Sequence, residues 1–325
     1  MNTKLTLILL TTSLFFGCSS GDSPFGTGAN LNPGVPAAIP DQNSFSIAFS
    51  ELRPEAWSLE GNTVDITIRV ADRNNFAVPD GTVVNFKTTG GALEKSGCTV
   101  TNGACTVKWI GQDPRPTNAA AFINDGQAYI LAYTSGEESF IDTNGDDLFD
   151  AGDTFPGAND LTDAYVDADN SGTFNLGDEL VDLNGNGTYD AGDGLYNGPR
   201  CQNGAACTPT PVIVRTGGLL TMSGSYFAAG TPLTAAPFLF TSTAAPSSGG
   251  TSNITFSLVD VNGNLLPTGT TLSVTPIDGT IATAPTFKDN SSSYSVSILW
   301  GTSNAYGLTI TTTAPSGRTT TVTPY

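Results

Sequence analysis

Val64-Asp-Ile66-Thr-Ile68-Arg-Val70-Ala-Asp72-Arg-Asn-Asn-Phe-Ala-Val-Pro79-Asp-Gly81-Thr-Val-Val84-Asn-Phe86 is the stretch that decides the fold. Val64, Ile66, Ile68 and Val70 alternate strictly with polar residues, the period of a strand with one buried face. Pro79-Asp80-Gly81 then supplies a turn, and Val84 and Phe86 resume the alternation. Further on, Cys105, Val107 and Trp109 share a strand face, and Ile130 and Ala132 alternate with Tyr129, Leu131 and Tyr133. Period two, with Gly, Asn, Asp and Pro between the runs, predicts antiparallel sheets packed as a sandwich. Beyond the N-terminal apolar segment no stretch has a helical period.

The plan is used twice. Asp72 to Thr82 matches Asp260-Val-Asn-Gly-Asn-Leu-Leu-Pro267-Thr-Gly269-Thr270 at a constant offset, with Pro79 on Pro267 and Gly81 on Gly269. Ile66 and Ile68 match Ile254 and Phe256 in kind, Gly91 falls on Gly279, and Trp109 has a counterpart in Trp300. Each copy is about 90 residues long, a common size for a sandwich that folds by itself. Trp109 and Trp300 lie on strand patterns and are expected in the cores, and Trp57 is expected to pack as well. Asp72 and Asp260 read as turn residues rather than metal ligands.

The string from Val64 to Phe86, with Ala128-Tyr-Ile-Leu-Ala-Tyr-Thr134 as a closing strand, resembles the bacterial Ig-like group 1 (Big-1) domain repeated in invasin- and intimin-type surface proteins. The resemblance covers residues 45–136 well and 238–325 more loosely. It implies an all-β chain of two Ig-like antiparallel β-sandwiches, here separated by an aspartate-rich calcium-loop segment. It also carries an expectation of cell adhesion.

That segment repeats one twelve-residue ligand pattern three times. The loops are Asp142-Thr-Asn144-Gly-Asp146-Asp-Leu148-Phe-Asp150-Ala-Gly-Asp153, Asp167-Ala-Asp169-Asn-Ser171-Gly-Thr173-Phe-Asn175-Leu-Gly-Asp178 and Asp182-Leu-Asn184-Gly-Asn186-Gly-Thr188-Tyr-Asp190-Ala-Gly-Asp193. Side-chain oxygens fall at the first, third, fifth, ninth and twelfth places. The carbonyls of Leu148, Thr173 and Thr188 fall at the seventh. This is the oxygen spacing of a site for two or three Ca²⁺ ions. Gly172 and Gly187 hold the sixth place, where a sharp turn needs positive φ; the first loop has Asp147 there. The twelfth residue is Asp rather than a longer Glu, and no amphipathic helices flank the loops. They therefore resemble the calcium loops of dockerin and thrombospondin type 3 repeats, which implies structural sites rather than a sensor. The competing reading is a solvated acidic linker, for residues 142–193 hold fourteen of the thirty acidic residues and no Lys or Arg. Against it, Phe149, Phe174 and Tyr189 keep an aromatic ring at the eighth place of every loop.

Lys4, the apolar run Leu5 to Phe16 and Gly17-Cys18 resemble a bacterial lipoprotein signal, which implies lipidation of Cys18; an ordinary secretory signal is the alternative. Ser19 after the cysteine implies outer-membrane sorting if the source is Gram-negative. In an exported chain the close pairs Cys98 with Cys105 and Cys201 with Cys207 are expected as disulfides rather than as a zinc site. The expected organisation is a signal peptide (1–17), a flexible tether (18–43), an Ig-like domain (44–139), calcium loops (140–200), a disulfide loop with connecting strands (201–237) and a second Ig-like domain (238–325). Pro211-Val-Ile-Val-Arg215 and Leu219-Leu-Thr-Met222 read as strands that either return to the first sandwich or open the second.

Composition narrows function. The chain has no His, which excludes a Ser-His-Asp or Cys-His nucleophile and the usual zinc-hydrolase ligands. No phosphate-binding or dinucleotide fingerprint occurs. A net charge of −18 argues against nucleic acid. The expectation is a non-enzymatic cell-envelope protein, membrane-anchored through its N-terminal lipid. Two roles fit: a structural or adhesive surface module with a protein or glycan partner, or a subunit of an envelope assembly that pairs through sandwich edges.

Overall fold

The computed structural model describes residues 38–116, 126–202, 206–228 and 239–324. The expected signal, Cys18 and the tether up to residue 37 lie outside the described residues. The chain is all-β. Its only helical turns among the described residues are two short 3₁₀ segments, Gln42–Ser44 and Gly157–Asn159. In order, the strands are β1 (Phe45–Phe49), β2 (Thr63–Val70), β3 (Val83–Thr88), β4 (Ala92–Leu93), β5 (Gly97–Thr99), β6 (Ala104–Ile110), β7 (Gln127–Gly136), β8 (Ala164–Val166), β9 (Glu179–Val181), β10 (Tyr196–Asn197), β11 (Cys207–Thr208), β12 (Val212–Thr221), β13 (Phe240–Ser242), β14 (Thr251–Ser257), β15 (Thr271–Pro276), β16 (Gly279–Ile281), β17 (Ser293–Trp300), β18 (Leu308–Thr313) and β19 (Thr319–Val322).

Sheets β1-β2-β6-β4 and β12-β7-β3-β5 enclose the first core. The alternation of β2 places Val64, Ile66, Ile68 and Val70 inward, all nearly or fully buried, where they meet Val107 and Trp109 of β6 and Phe86 of β3. Trp57 packs against the same core. Sheets β13-β14-β17-β16 and β15-β18-β19 enclose the second core, around Ile254, Phe256, Ile298 and Trp300. Among the described residues every pairing is antiparallel except the two-residue β10–β11 pair and three isolated bridges.

The repeated turn is built identically in both copies. Asp72 Oδ1 accepts the N–H of Asn74 and of Phe76, each at 2.9 Å, and Asp260 Oδ1 accepts those of Asn262 and Asn264 at 2.9 Å. Ala71 bridges Ala77 and Val259 bridges Leu265 across the two turns. Both carboxylates are buried, and burial pushes each above the usual carboxylate range. Gly91 shows why no side chain is tolerated beside the tryptophan: a Cβ there would meet the Trp109 ring.

β12 answers the question that the sequence left open. It pairs with β7 along its whole length, from Val212↔Gly136 to Thr221↔Gln127. Residues 137–211, including all three aspartate-rich loops, are therefore an insertion in one hairpin of the first sandwich. The ends of a hairpin already lie together, so a long insertion there adds little closure entropy. In the second sandwich the equivalent β18–β19 connection is only residues 314–318, closed by Ala314 N–H to Arg318 O at 2.8 Å.

The insert packs in two places. Phe140, Phe149 and Tyr196 form a small core beside the Cys201–Cys207 disulfide, with Arg73 stacked on Phe140 at 3.5 Å. Tyr165, Phe174 and Tyr189 form a second aromatic group, with Phe174 and Tyr189 stacked at 4.5 Å. β8 lies against β7 and β12, and Arg215 of β12 donates to Thr162 O at 2.6 Å and Thr162 Oγ1 at 2.9 Å. The rings at the eighth place thus order the acidic run: Phe149 in the first group, Phe174 and Tyr189 in the second.

Candidate metal centre

Each loop starts on a pair of backbone-bonded residues. Ile141 and Thr154 exchange N–H···O bonds at 2.9 and 3.1 Å and close the first loop. Val166↔Glu179 of the β8–β9 ribbon closes the second. The first aspartate of each loop then collects backbone N–H groups. Asp142 accepts Gly145 (2.6 Å) and Asp147 (2.9 Å), Asp167 accepts Ser171 (2.9 Å) and Gly172 (2.8 Å), and Asp182 accepts Gly185 (2.6 Å) and Gly187 (2.7 Å). The N–H of Gly187 chiefly holds Asp182 below the ordinary carboxylate range.

The remaining oxygens follow one scheme. At the third place Asn144, Asp169 and Asn184 accept N–H from the fifth residue, at 2.9, 3.1 and 2.9 Å. At the fifth, Asp146, Ser171 and Asn186 accept N–H from the seventh, whose carbonyls belong to Leu148, Thr173 and Thr188. Asn144 and Asn184 also donate to the ninth residues Asp150 and Asp190, at 3.1 and 2.7 Å, while Asn175 donates to Asp169 at 3.1 Å. The hydroxyl of Ser171 leads the causes that hold Asp169 below its ordinary range. Left-handed residues recur at the fourth place (Gly145 φ 77°, Asn170 53°, Gly185 73°) and the sixth (Asp147 68°, Gly172 75°, Gly187 76°). Asp147 bends as glycine does, and its carboxylate turns outward to Arg200 at 3.0 Å and Arg73 at 3.7 Å. The first loop's irregular residue is therefore its anchor to the sandwich.

The loops differ at the twelfth place. Asp153 accepts Thr143 N–H (2.8 Å) and Asp150 N–H (3.0 Å), and Asp178 accepts Ala168 N–H (2.8 Å) and Asn175 N–H (2.9 Å). Asp193 instead faces Leu195 N–H and Asn197 Nδ2. In the third loop Asp163 Oδ2 accepts Asp190 N–H at 3.1 Å, the bond that Asp153 and Asp178 make in theirs. Strand pairing explains the exchange. Val181, which precedes Asp182, pairs with Ala164, so Asp163 arrives where a twelfth residue belongs. The signal for Asp163 is the short apolar run Ala164-Tyr165-Val166 of β8 between Asp163 and Asp167.

In the second loop the carboxylate oxygens of Asp167, Asp169 and Asp178 lie within 4.8 Å of one another, with Asp167 buried. None of the three is ion-paired among the described residues, whereas Asp147 and Glu179 are, with Arg73, Arg200 and Lys87. Such a set of oxygens without N or S donors suits a hard cation of high coordination number. Beneath the loops lies a buried network that the sequence did not reveal: Arg200 Nε donates to Glu137 Oε1 at 2.7 Å, and Tyr196 OH donates to Glu137 Oε2 at 3.0 Å. Both disulfides form, Cys98–Cys105 between β5 and β6 and Cys201–Cys207 in the insert.

No family model and no curated protein matches the chain. Among solved structures, the Yersinia pseudotuberculosis adhesin InvE is 11% identical, with 88% of this chain and 59% of that one covered and a TM-score of 0.27. FdeC, an Escherichia coli adhesin, is 11% identical, with 87% and 62% covered and a TM-score of 0.29. The D0–D1 domain of intimin is 9% identical, with 86% and 96% covered and a TM-score of 0.24. The chain spans about three fifths of InvE and FdeC. With overlaps this low, the fold rests on the strand pairings above.

Proposed function

We propose that this chain is a non-enzymatic, lipid-anchored module of the bacterial cell surface, structural or adhesive in role, whose inserted loops bind Ca²⁺. The observation that carries the calcium reading is the convergence of Asp167, Asp169 and Asp178 in a loop whose hydrogen-bond scheme recurs in its two neighbours. In this reading Asp142, Asn144, Asp146, Leu148, Asp150 and Asp153 hold the first ion. Asp167, Asp169, Ser171, Thr173, Asn175 and Asp178 hold the second. Asp182, Asn184, Asn186, Thr188 and Asp190 hold the third, with Asp163 in the place that the spacing assigns to Asp193. The ion supplies positive charge to an acidic run and cross-links each loop's start to its end. Extracellular sites of this kind bind at roughly 10⁻⁴ to 10⁻³ M. At tenfold excess over the dissociation constant each contributes about 1.4 kcal/mol to the docked insert. The segment ending in Gly17-Cys18 supports lipid attachment, and no helix among the described residues is long and apolar enough to cross a membrane.

Calorimetric titration of Ca²⁺ into the chelator-treated chain lacking its first 18 residues tests the reading. Heat that fits two or three sites, without competition from Mg²⁺, is expected. A flat titration up to about 5 mM, beyond the range of extracellular sites, would overturn it.

A further inference from the structure

Where the insert leaves the first sandwich, one side chain holds both of its sides. Glu138 is completely buried. Its Oε1 accepts Leu161 N–H at 2.7 Å, its Oε2 accepts Asn197 N–H at 2.7 Å, and its own N–H donates to Asn197 O at 3.1 Å. Leu161 belongs to the segment entering β8 and Asn197 to β10, so this carboxylate ties two separate stretches of the insert to the end of β7. It has no ion pair among the described residues. The neighbouring Arg200 is committed to Glu137 and Asp147. The charged groups that face it are acidic: Asp160 from the segment before β8, and Asp193 from the end of the third loop. The adjoining positions hold Glu137 with its partners Arg200 and Tyr196, and Asp41, which accepts Ser139 Oγ. Asp160 Oδ1 is buried without a hydrogen-bond partner among the described residues.

We infer that docking of the insert onto the first sandwich is linked to a proton on Glu138, so that the cation-free insert is held more tightly in acid than at neutral or alkaline pH. An ionised carboxylate here is a buried charge with no cation beside it. A proton removes that charge. Burial pushes Glu138 up to about 7; the N–H groups of Leu161 and Asn197 oppose this, and Asp160 and Asp193 add to it. Because the docked form binds the proton more readily than the open one, the stabilisation is full below the ordinary glutamate range. It is lost as pH rises through about 7.

Amide hydrogen exchange on the chain lacking its first 18 residues, in EDTA throughout, tests this independently of calcium binding. A rise from 4.5 to about 7 makes local opening of residues 138–202 roughly seventyfold more frequent at pH 8 than at pH 5, after correction for intrinsic exchange. β13 to β19 show no such rise. Glu138→Gln removes most of the rise, whatever it does to absolute protection. Direct ¹³C titration of the Glu138 side chain gives a midpoint near neutrality. A midpoint in the ordinary carboxylate range with the insert docked, or a full pH rise retained in Glu138→Gln, would overturn the inference.

Discussion

The two sandwiches share a turn, a tryptophan and a strand plan, but they treat one hairpin connection in opposite ways. In the second sandwich β18 and β19 are joined by residues 314–318, and that turn grips the first sandwich: Ser316 N–H and Oγ donate to the buried Glu55, and Arg318 donates to Ser58 O. In the first sandwich the same connection opens into residues 137–211. The neighbouring repeated turn follows suit. Asp260 Oδ2 accepts Gly224 N–H from the first sandwich at 2.8 Å, whereas Arg73 and Asn74, beside Asp72, hold Asp147 of the insert. One pole of the repeat is thus a docking surface in both copies. Its occupant is the other sandwich in one copy and the acidic insert in the other.

The largest expected effect separates the two docked partners. Arg200 and Glu137 are 1% and 0% exposed, so Arg200→Met strands a buried carboxylate at a cost of about 3–5 kcal/mol. In urea the insert should lose structure before β13 to β19 do. An unchanged insert midpoint would show that the ring core and disulfide hold it without the ion pair. A smaller effect compares the turns directly. Asp260→Asn turns an amide N–H₂ toward Gly224 N–H and loses that bond, at about 1–3 kcal/mol. Asp72→Asn loses no such bond and is expected to shift the urea midpoint by less. Equal losses would mean that the Gly224 bond contributes nothing to joining the sandwiches.

The core was legible because its information is local. Val64, Ile66, Ile68 and Val70 declare a half-buried strand by themselves, and the Asp72 and Asp260 turns carry their reason in two short hydrogen bonds each. The destination of β12 was not legible. Its alternation serves equally well in either sandwich, and its partner β7 lies across the whole insert. Nor was the Glu137–Arg200 pair, for nothing near either residue announces a partner 63 positions away. Spacing foresaw the hydrogen bonds that close a loop on itself, from Thr143 N–H to Asp153 and from Ala168 N–H to Asp178.

Spacing did not foresee the closing bond that is borrowed from another strand, and the smallest expected effect asks whether the ligand is borrowed with it. Twelve-residue spacing nominates Asp193 for the third site; the pairing of Val181 with Ala164 nominates Asp163. Asp163 Oδ2 receives Asp190 N–H, as a twelfth residue does in the other two loops, and Asp193 is turned to Leu195 and Asn197. In calcium titrations, Asp163→Asn should weaken one site about tenfold, or about 1.4 kcal/mol, while Asp193→Asn leaves every site near its original affinity. The reverse result would restore the register read from spacing. Since only β8 separates Asp163 from Asp167, loss of the first should also be felt at the second loop. The other sandwich offers an internal control: its short connection has no such loop to perturb, so β13 to β19 should keep their urea midpoint in both variants.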